Sequence, residues 1–153
     1  MVDLSLDELE LFVMPLFPPY RPKTLSLGPL EAEIIDILWA LGPTSATAVH
    51  QHILNDIDRE LTYSSVSTVL KRLVKKGWVA CDRNSRIHIW KVLVSAHEAK
   101  VLKAHDQLHQ FLAVGSPEIV AAFADTLDDA SLEQLDAIAQ KVKAARQARE
   151  HSS

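Results

Sequence analysis

The chain has 153 residues, of which 48% are hydrophobic, and its 16 Lys and Arg against 20 Asp and Glu give a formal net charge of -4. That apolar content suffices for one buried core, or for a small domain with an appendage. The one cysteine, Cys81, excludes an intrachain disulfide and a multi-cysteine metal site, and four glycines leave little room for a phosphate-cradling loop. No apolar run approaches the roughly 18 residues of a membrane span, and the sequence opens acidic, without the positive leader of a signal peptide. A cytoplasmic protein with no cofactor is therefore expected. No nucleophile elbow or acid pair with an accompanying nucleophile is recognisable, so enzyme chemistry is not expected either.

Net acidity conceals an asymmetry. Residues 62–92 hold seven cations (Lys71, Arg72, Lys75, Lys76, Arg83, Arg86, Lys91) and one acid (Asp82), whereas residues 25–61 hold one cation and six acids. A solvated surface usually intersperses both signs. Concentrated positive potential on one short module is the footprint of a polyanion partner.

In chain order, residues 1–24 combine a short helical pattern over residues 5–13 with the proline-rich run 14–22, whose prolines favour extended, loosely held chain, and so read as an arm or linker. A helix is predicted over residues 29–41, with Pro29 in its first turn, an apolar stripe of Leu30, Ile34, Ile37, Leu38 and Leu41, and Gly42-Pro43 as its stop. A second should follow the N-cap Ser45 and run through Val49 and Ile53 to about Ile57. The third starts after Thr62 and ends at Gly77. Its Val66, Val69, Leu70 and Leu73 recur at helical spacing on one face. Ser64, Ser65, Thr68, Lys71, Arg72 and Lys75 project elsewhere and supply the donors and cations that meet phosphates and base edges.

Residues 78–82 and 86–92 are rich in aromatic and β-branched residues and flank a polar turn, which predicts a hairpin tipped by Arg83, Asn84 and Arg86. Three helices and a basic-tipped hairpin are the element order of a winged helix-turn-helix, whose third helix enters the major groove. The fold class expected is mainly α, an α+β winged helix-turn-helix over residues 25–94. Residues 95–147 should then form three helices, started by capping boxes at Ser95 and Ser131 and by Ser116-Pro117, before a tail at 148–153. Their stripes (Val101, Leu102, Leu108 and Leu112; Ile119, Val120 and Phe123; Leu132, Leu135, Ile138, Ala139 and Val142) are too much apolar surface for so short an appendage to bury alone, so a homodimer is expected.

Four other groups of residues have ordinary explanations. His105 and His109 lie four apart, a spacing able to place both rings on one metal, but no third ligand is nearby, so an interface or core pair is expected and no metal. His50 and His52 are read as solvent-facing. Cys81 beside Asp82 and Arg83 reads as a structural thiol, and Trp39, Trp78 and Trp90, next to aliphatic runs, read as core.

The segment Leu27-Gly-Pro-Leu30-Glu31, followed by an aliphatic run ending at Trp39, resembles the opening helix of the penicillinase repressor (BlaI/MecI/CopY) family. Thr62-Tyr-Ser-Ser-Val and Leu70-Lys-Arg-Leu-Val-Lys-Lys-Gly77 resemble its recognition helix, and residues 89–95 its second wing strand, so that the likeness covers about residues 25–142. It implies a dimeric winged-helix repressor on a two-fold-symmetric operator in double-stranded DNA, released by an inducer or sensor protein. On it, Thr62, Ser64, Ser65, Thr68 and Arg72 lie at or near the groove, while Lys71, Lys75, Arg83 and Arg86 mainly hold phosphates. Trp90 and Val92 stand where tyrosine and proline are expected in the family's strand, an aromatic being kept. The chain has no Asn-Phe dipeptide, the bond cut in antibiotic-responsive members, and no C-terminal paired-cysteine motif of the copper-responsive members, so the resemblance assigns no inducer. The residues themselves leave two other classes open: a winged-helix module that binds protein without operator specificity, and an architectural DNA binder whose affinity is purely electrostatic.

Overall fold

The computed structural model describes residues 17–151. Among them are six helices and one hairpin: α1 (Pro29–Leu41), α2 (Ala46–Leu54), α3 (Tyr63–Lys76), β1 (Val79–Asp82), β2 (Ile89–Val92), α4 (Ala96–Val114), α5 (Pro117–Ala124) and α6 (Asp129–His151). The strands pair antiparallel, with Val79 opposite Val92 and Asp82 opposite Ile89. The short α1–α2 connection adds an isolated bridge to the hairpin, Thr44 and Trp90 exchanging both backbone hydrogen bonds. This is the winged helix-turn-helix that the order of elements predicts. The helical pattern over residues 5–13 lies outside the described residues.

Local chemistry accounts for each boundary. Pro29 opens α1, where a missing N–H costs nothing, and the Glu31 carboxylate reaches back to accept from Gly28 N at 2.9 Å. Ser45 caps α2 by accepting from Ala48 N. Thr62 Oγ1 accepts from Ser65 N at 3.1 Å to start α3. The stop of α3 is a complete Schellman motif: Gly77 adopts φ 84°, its N–H donates to Val74 O, and the N–H of Trp78 donates to Leu73 O. Ser95 and Glu98 form the reciprocal box that starts α4, and Ser116 caps α5 ahead of Pro117.

The chain divides into two compact units, and the first comprises Phe17–Asp106. Its core is one cluster, with Ile34, Ile35, Leu38, Val49, Val66, Leu70, Leu73 and Leu102 at its centre. Trp78 and Trp90 are buried within it, and Trp39 is half-buried with its indole N–H donating to Val94 O at 2.8 Å, so the tryptophans are core residues as expected. Two ends of the predicted stripes are not buried. Leu41 is 44% exposed, and Ile57 is 94% exposed because α2 stops at Leu54 and Asp56 then folds a turn, its carboxylate accepting from Asp58 N and its carbonyl from Arg59 N.

Five further expectations need correction. Residues 17–24 are held chain: Pro18 and Pro22 are buried, since a proline ring that presets extended backbone is also apolar surface. Strand β2 begins only at Ile89, because Asn84 N donates to Asp82 Oδ1 and Ser85 Oγ to Ile87 O, curling residues 83–88 into the loop of the wing. His50 is half-buried, one ring nitrogen 2.6 Å from Leu61 O, while His52 is exposed. Helix α6 starts at Asp129, its cap standing three residues before Ser131: Asp128 is that cap, its carboxylate accepting from Ser131 N at 2.8 Å, because aspartate N-caps as well as serine and stands earlier in the chain. The helix also runs through residues 148–151, read from sequence as a tail.

The second unit contains residues 107–151 and is of a different kind. Neither α5 nor α6 has a buried residue. Phe111 and Phe123 meet edge-to-face at 6.2 Å, and the other apolar side chains of these helices stand open. No helix of the described residues is long and apolar enough to cross a membrane.

Candidate nucleic-acid interface

The periodicity of α3 creates its two faces. Val66, Val69, Leu70 and Leu73 are buried at 0–5% exposure, and this anchors the helix on its inner side. On the outer side Ser64, Thr68, Lys71, Arg72 and Lys75 are exposed, with Ser65 half-buried. The hydroxyls are partly engaged already. Thr62 Oγ1 caps the helix and lies 2.8 Å from Ser65 Oγ, and Thr68 Oγ1 donates back to Ser64 O at 2.9 Å. Each spent donor leaves acceptor lone pairs facing outward. In the first turns of the helix the outward face therefore offers acceptor lone pairs, the Ser64 hydroxyl, whichever hydroxyl of the Thr62–Ser65 pair is not donating, and the threonine methyls.

The cations divide by partner. Among the described residues, the ion pairs of the first unit tie up Arg21, Arg59 and Lys76, and none involves Lys71, Arg72, Lys75, Arg83 or Arg86. Those five side chains are exposed, the first three on α3 and the last two on the wing, with Asn84 exposed between the arginines. Lys76 is structural instead. Its ammonium donates to Ser26 O at 2.8 Å and to Glu31 Oε1 at 2.9 Å, the Glu31 side chain being 7% exposed. Burial by itself raises the Glu31 carboxyl. The Lys76 hydrogen bond, the Gly28 N–H, and the charges of Lys76 and Arg72 outweigh that and hold it below the ordinary glutamate range. The second oxygen, Oε2, is buried with no hydrogen-bond partner among the described residues, so the carboxylate is held through Oε1 alone, by Lys76 and the Gly28 N–H.

Sequence reasoning missed Tyr63. It is the first residue of α3, 50% exposed, with its ring edge-on to His50 at 6.1 Å, which places a phenol at the rim of the polar face. Its position next to the cap Thr62 was the available signal. His88 and Lys91 are also exposed on the hairpin.

Of the residues assigned to self-association, Leu108, Leu112, Leu132, Leu135, Ile138 and Val142 are 49–62% exposed. Val101 is half-buried, and Leu102, at 1% exposure, belongs to the core of the first unit. Cys81 is half-buried on β1. The described residues bring no three His, Cys, Asp or Glu side chains together in a group able to hold a metal ion.

Comparison with known proteins bears on this arrangement. The chain is 39% identical over 67 residues to the transcriptional regulator BlaI of two Mycobacterium tuberculosis strains, a match over 43% of this chain; it spans about half (47%) of those relatives' length. Among solved structures it is similar to the complex structure of hsRosR-S1 (18% identity, TM-score 0.44, 78% of this chain and 94% of that one). It is also similar to a point mutant of Lactococcus lactis ZitR (15% identity, TM-score 0.40, 84% of each chain). The model of the penicillinase repressor family matches residues 27–144, from the start of α1 into α6, and the chain belongs to that family.

Proposed function

We propose that this chain is a sequence-specific, DNA-binding transcriptional repressor that acts in the cytoplasm as a homodimer on a two-fold-symmetric operator. Helix α3 enters the major groove, with Ser64, Thr68 and Arg72 facing base edges and Thr62 and Ser65 at the entry of the helix. Lys71 and Lys75 hold phosphates beside the groove, and the wing sets Arg83, Asn84 and Arg86 on the adjacent backbone. The observation that carries this reading is the division of the cations. Among the described residues the exposed ones on α3 and the wing form no ion pair with a carboxylate, while the neighbouring Lys76 is spent on a buried glutamate. A helix packed for protein docking has little use for such a face.

The homodimer rests on the second unit. Helices α5 and α6 leave every apolar side chain accessible, among them Phe123 at 47%, Leu135 at 55% and Ile138 at 59%. Exposed apolar faces of this extent mark an interface, and a second copy supplies a matching stripe by symmetry.

Selection of bound duplexes from a random pool at physiological salt tests the whole reading. Enrichment of a palindromic motif is the expected result, and a folded protein that enriches nothing sinks it in favour of a protein-binding module or an architectural binder. On the selected motif, Arg72→Ala should cost about 1–3 kcal/mol and relax the preference over unrelated DNA, whereas Lys75→Ala should weaken both duplexes alike and reduce the salt slope by roughly 0.9. Equal losses on both duplexes for Arg72→Ala would remove it from the base-reading role.

A further inference from the structure

The segment preceding α1 does more than connect. Its residues converge on the C-terminal end of α3: Tyr20 donates its hydroxyl to Gly77 O, Thr24 N donates to Lys76 O at 3.1 Å, and Thr24 O accepts the Trp78 indole N–H at 2.8 Å. Lys76 in turn donates to Ser26 O. The fit is close. A Cβ on Gly77 would come within 3.0 Å of Lys23 N, 3.1 Å of the Tyr20 hydroxyl and 3.4 Å of Pro22 Cα, so the glycine serves both the left-handed turn and the approach of this strap. Buried Pro22 lies between these contacts in sequence. The other end of the strap is fastened to α4, where Phe17 packs on the His105 ring with centroids 4.7 Å apart and Arg21 pairs with Asp106 at 3.1 Å.

We propose that residues 17–26 are a positioning clamp for DNA recognition, in which Tyr20 and Arg21 hold the exit of α3 against α4 and thereby fix the pitch of the recognition helix. The proposal rests on reading α3 as the helix that enters the groove. Leverage gives the clamp its effect. Ser64 lies 13 residues before Gly77, about 20 Å along the helix at 1.5 Å per residue. A tilt of about 5° at the exit moves that end by nearly 2 Å, whereas a hydrogen bond to a base edge tolerates only a few tenths of an ångström. Lysine and arginine side chains reaching phosphates absorb such a shift through their rotamers. Loosening the clamp therefore damages discrimination and spares non-specific affinity, a split that loss of stability alone does not produce.

The full chain carrying Tyr20→Phe and Arg21→Ala provides the test, with each single variant and Arg21→Lys alongside. Both side chains are 40–50% exposed, so the fold does not depend on them. The first readout is amide hydrogen exchange in the absence of DNA. Faster exchange at Thr24 and Gly77, with the core of α1 unchanged, is expected in the double variant, and unchanged exchange overturns the clamp. The second readout is the ratio of dissociation constants for the selected operator and an unrelated duplex. That ratio should fall by about five- to tenfold in the double variant, with unrelated-DNA affinity within about twofold of wild type and partial recovery in Arg21→Lys. Faster exchange with an unaltered ratio overturns the positioning role. Wild-type protein that itself prefers no sequence sinks the operator reading and the discrimination claim together, and exchange at Thr24 and Gly77 then decides alone whether the strap clamps α3.

Discussion

The two units of this chain begin from the same sequence signal and end differently. Helices α1–α3 and α5–α6 all repeat apolar residues at helical spacing, yet the first set buries them at 0–7% exposure through most of its stripes while the second buries none. The difference is what each stripe has to pack against. Residues 17–106 contain three helices, a hairpin, a strap and the start of α4, which close around one core, whereas the described residues of the second unit, two amphipathic helices and the end of α4, bury no apolar side chain among themselves. Amphipathicity therefore reports a demand for a partner surface, and only the arrangement of the chain shows whether that demand is met within one molecule.

The largest expected effect tests the closed unit. Leu70 is fully buried at the centre of the core, and Leu70→Ala should destabilise by about 2–5 kcal/mol, from lost transfer energy and the cavity left behind. Urea denaturation measures it, and the loss should be the same at any protein concentration. A loss that shrinks as concentration rises would mean the core of residues 17–106 is not self-sufficient, and the contrast between the units would collapse.

Next comes the open unit. Leu135→Asp with Ile138→Asp changes two side chains already 55% and 59% exposed, so the far-ultraviolet helix signal should survive. Association should not. Two carboxylates in an apolar interface are costly to desolvate, and sedimentation should show the proposed dimer weakened by at least tenfold, together with loss of the concentration dependence of unfolding. A variant that stays dimeric would place the contact elsewhere and leave these faces without a role.

The same physics decided what was legible in the sequence. Helix α3 is specified by strictly local chemistry, the cap Thr62, the stripe and the stop at Gly77, so both its bounds and its two faces could be read in advance. The tertiary contacts could not. Lys76 looks like its neighbours Lys71 and Lys75 by composition, and only a buried Glu31 some 45 positions away removes it from the surface charge. The proline-rich strap reads as loose chain because its partners, Gly77 and Asp106, are 57 and 85 positions distant. Leu102, Leu108 and Leu112 share one predicted stripe of α4, yet Leu102 is buried in the core and the other two are exposed, a boundary that periodicity does not mark. At α6, two acceptable caps three residues apart, Asp128 and Ser131, gave competing starts, and the earlier one is used.

A smaller effect separates a buried carboxylate in the closed unit from an exposed one in the open unit. Glu31 sits almost out of water with Lys76 as its counter-ion, and its pKa is depressed on folding, so its contribution to stability is fully present above the unfolded-state value and is lost as pH falls through the lower folded one. Glu31→Gln keeps the shape but strands the Lys76 ammonium. It should cost about 1–3 kcal/mol at neutral pH, and the difference from wild type should close on acidification. Asp128 is also held below the ordinary aspartate range, by its hydrogen bonds to Ser131, but it is fully solvent-exposed at a helix start. Asp128→Asn keeps an N-cap acceptor and should leave stability nearly unchanged at every pH, because an exposed carboxylate gains little from the fold. Stability curves of the two variants between pH 3 and 7 should therefore part at neutral pH and converge in acid. If Asp128→Asn matched Glu31→Gln in size and pH dependence, the α6 cap would have to be buried in the assembled protein, and the open unit would be closed by a partner that covers its helix start as well as its apolar faces.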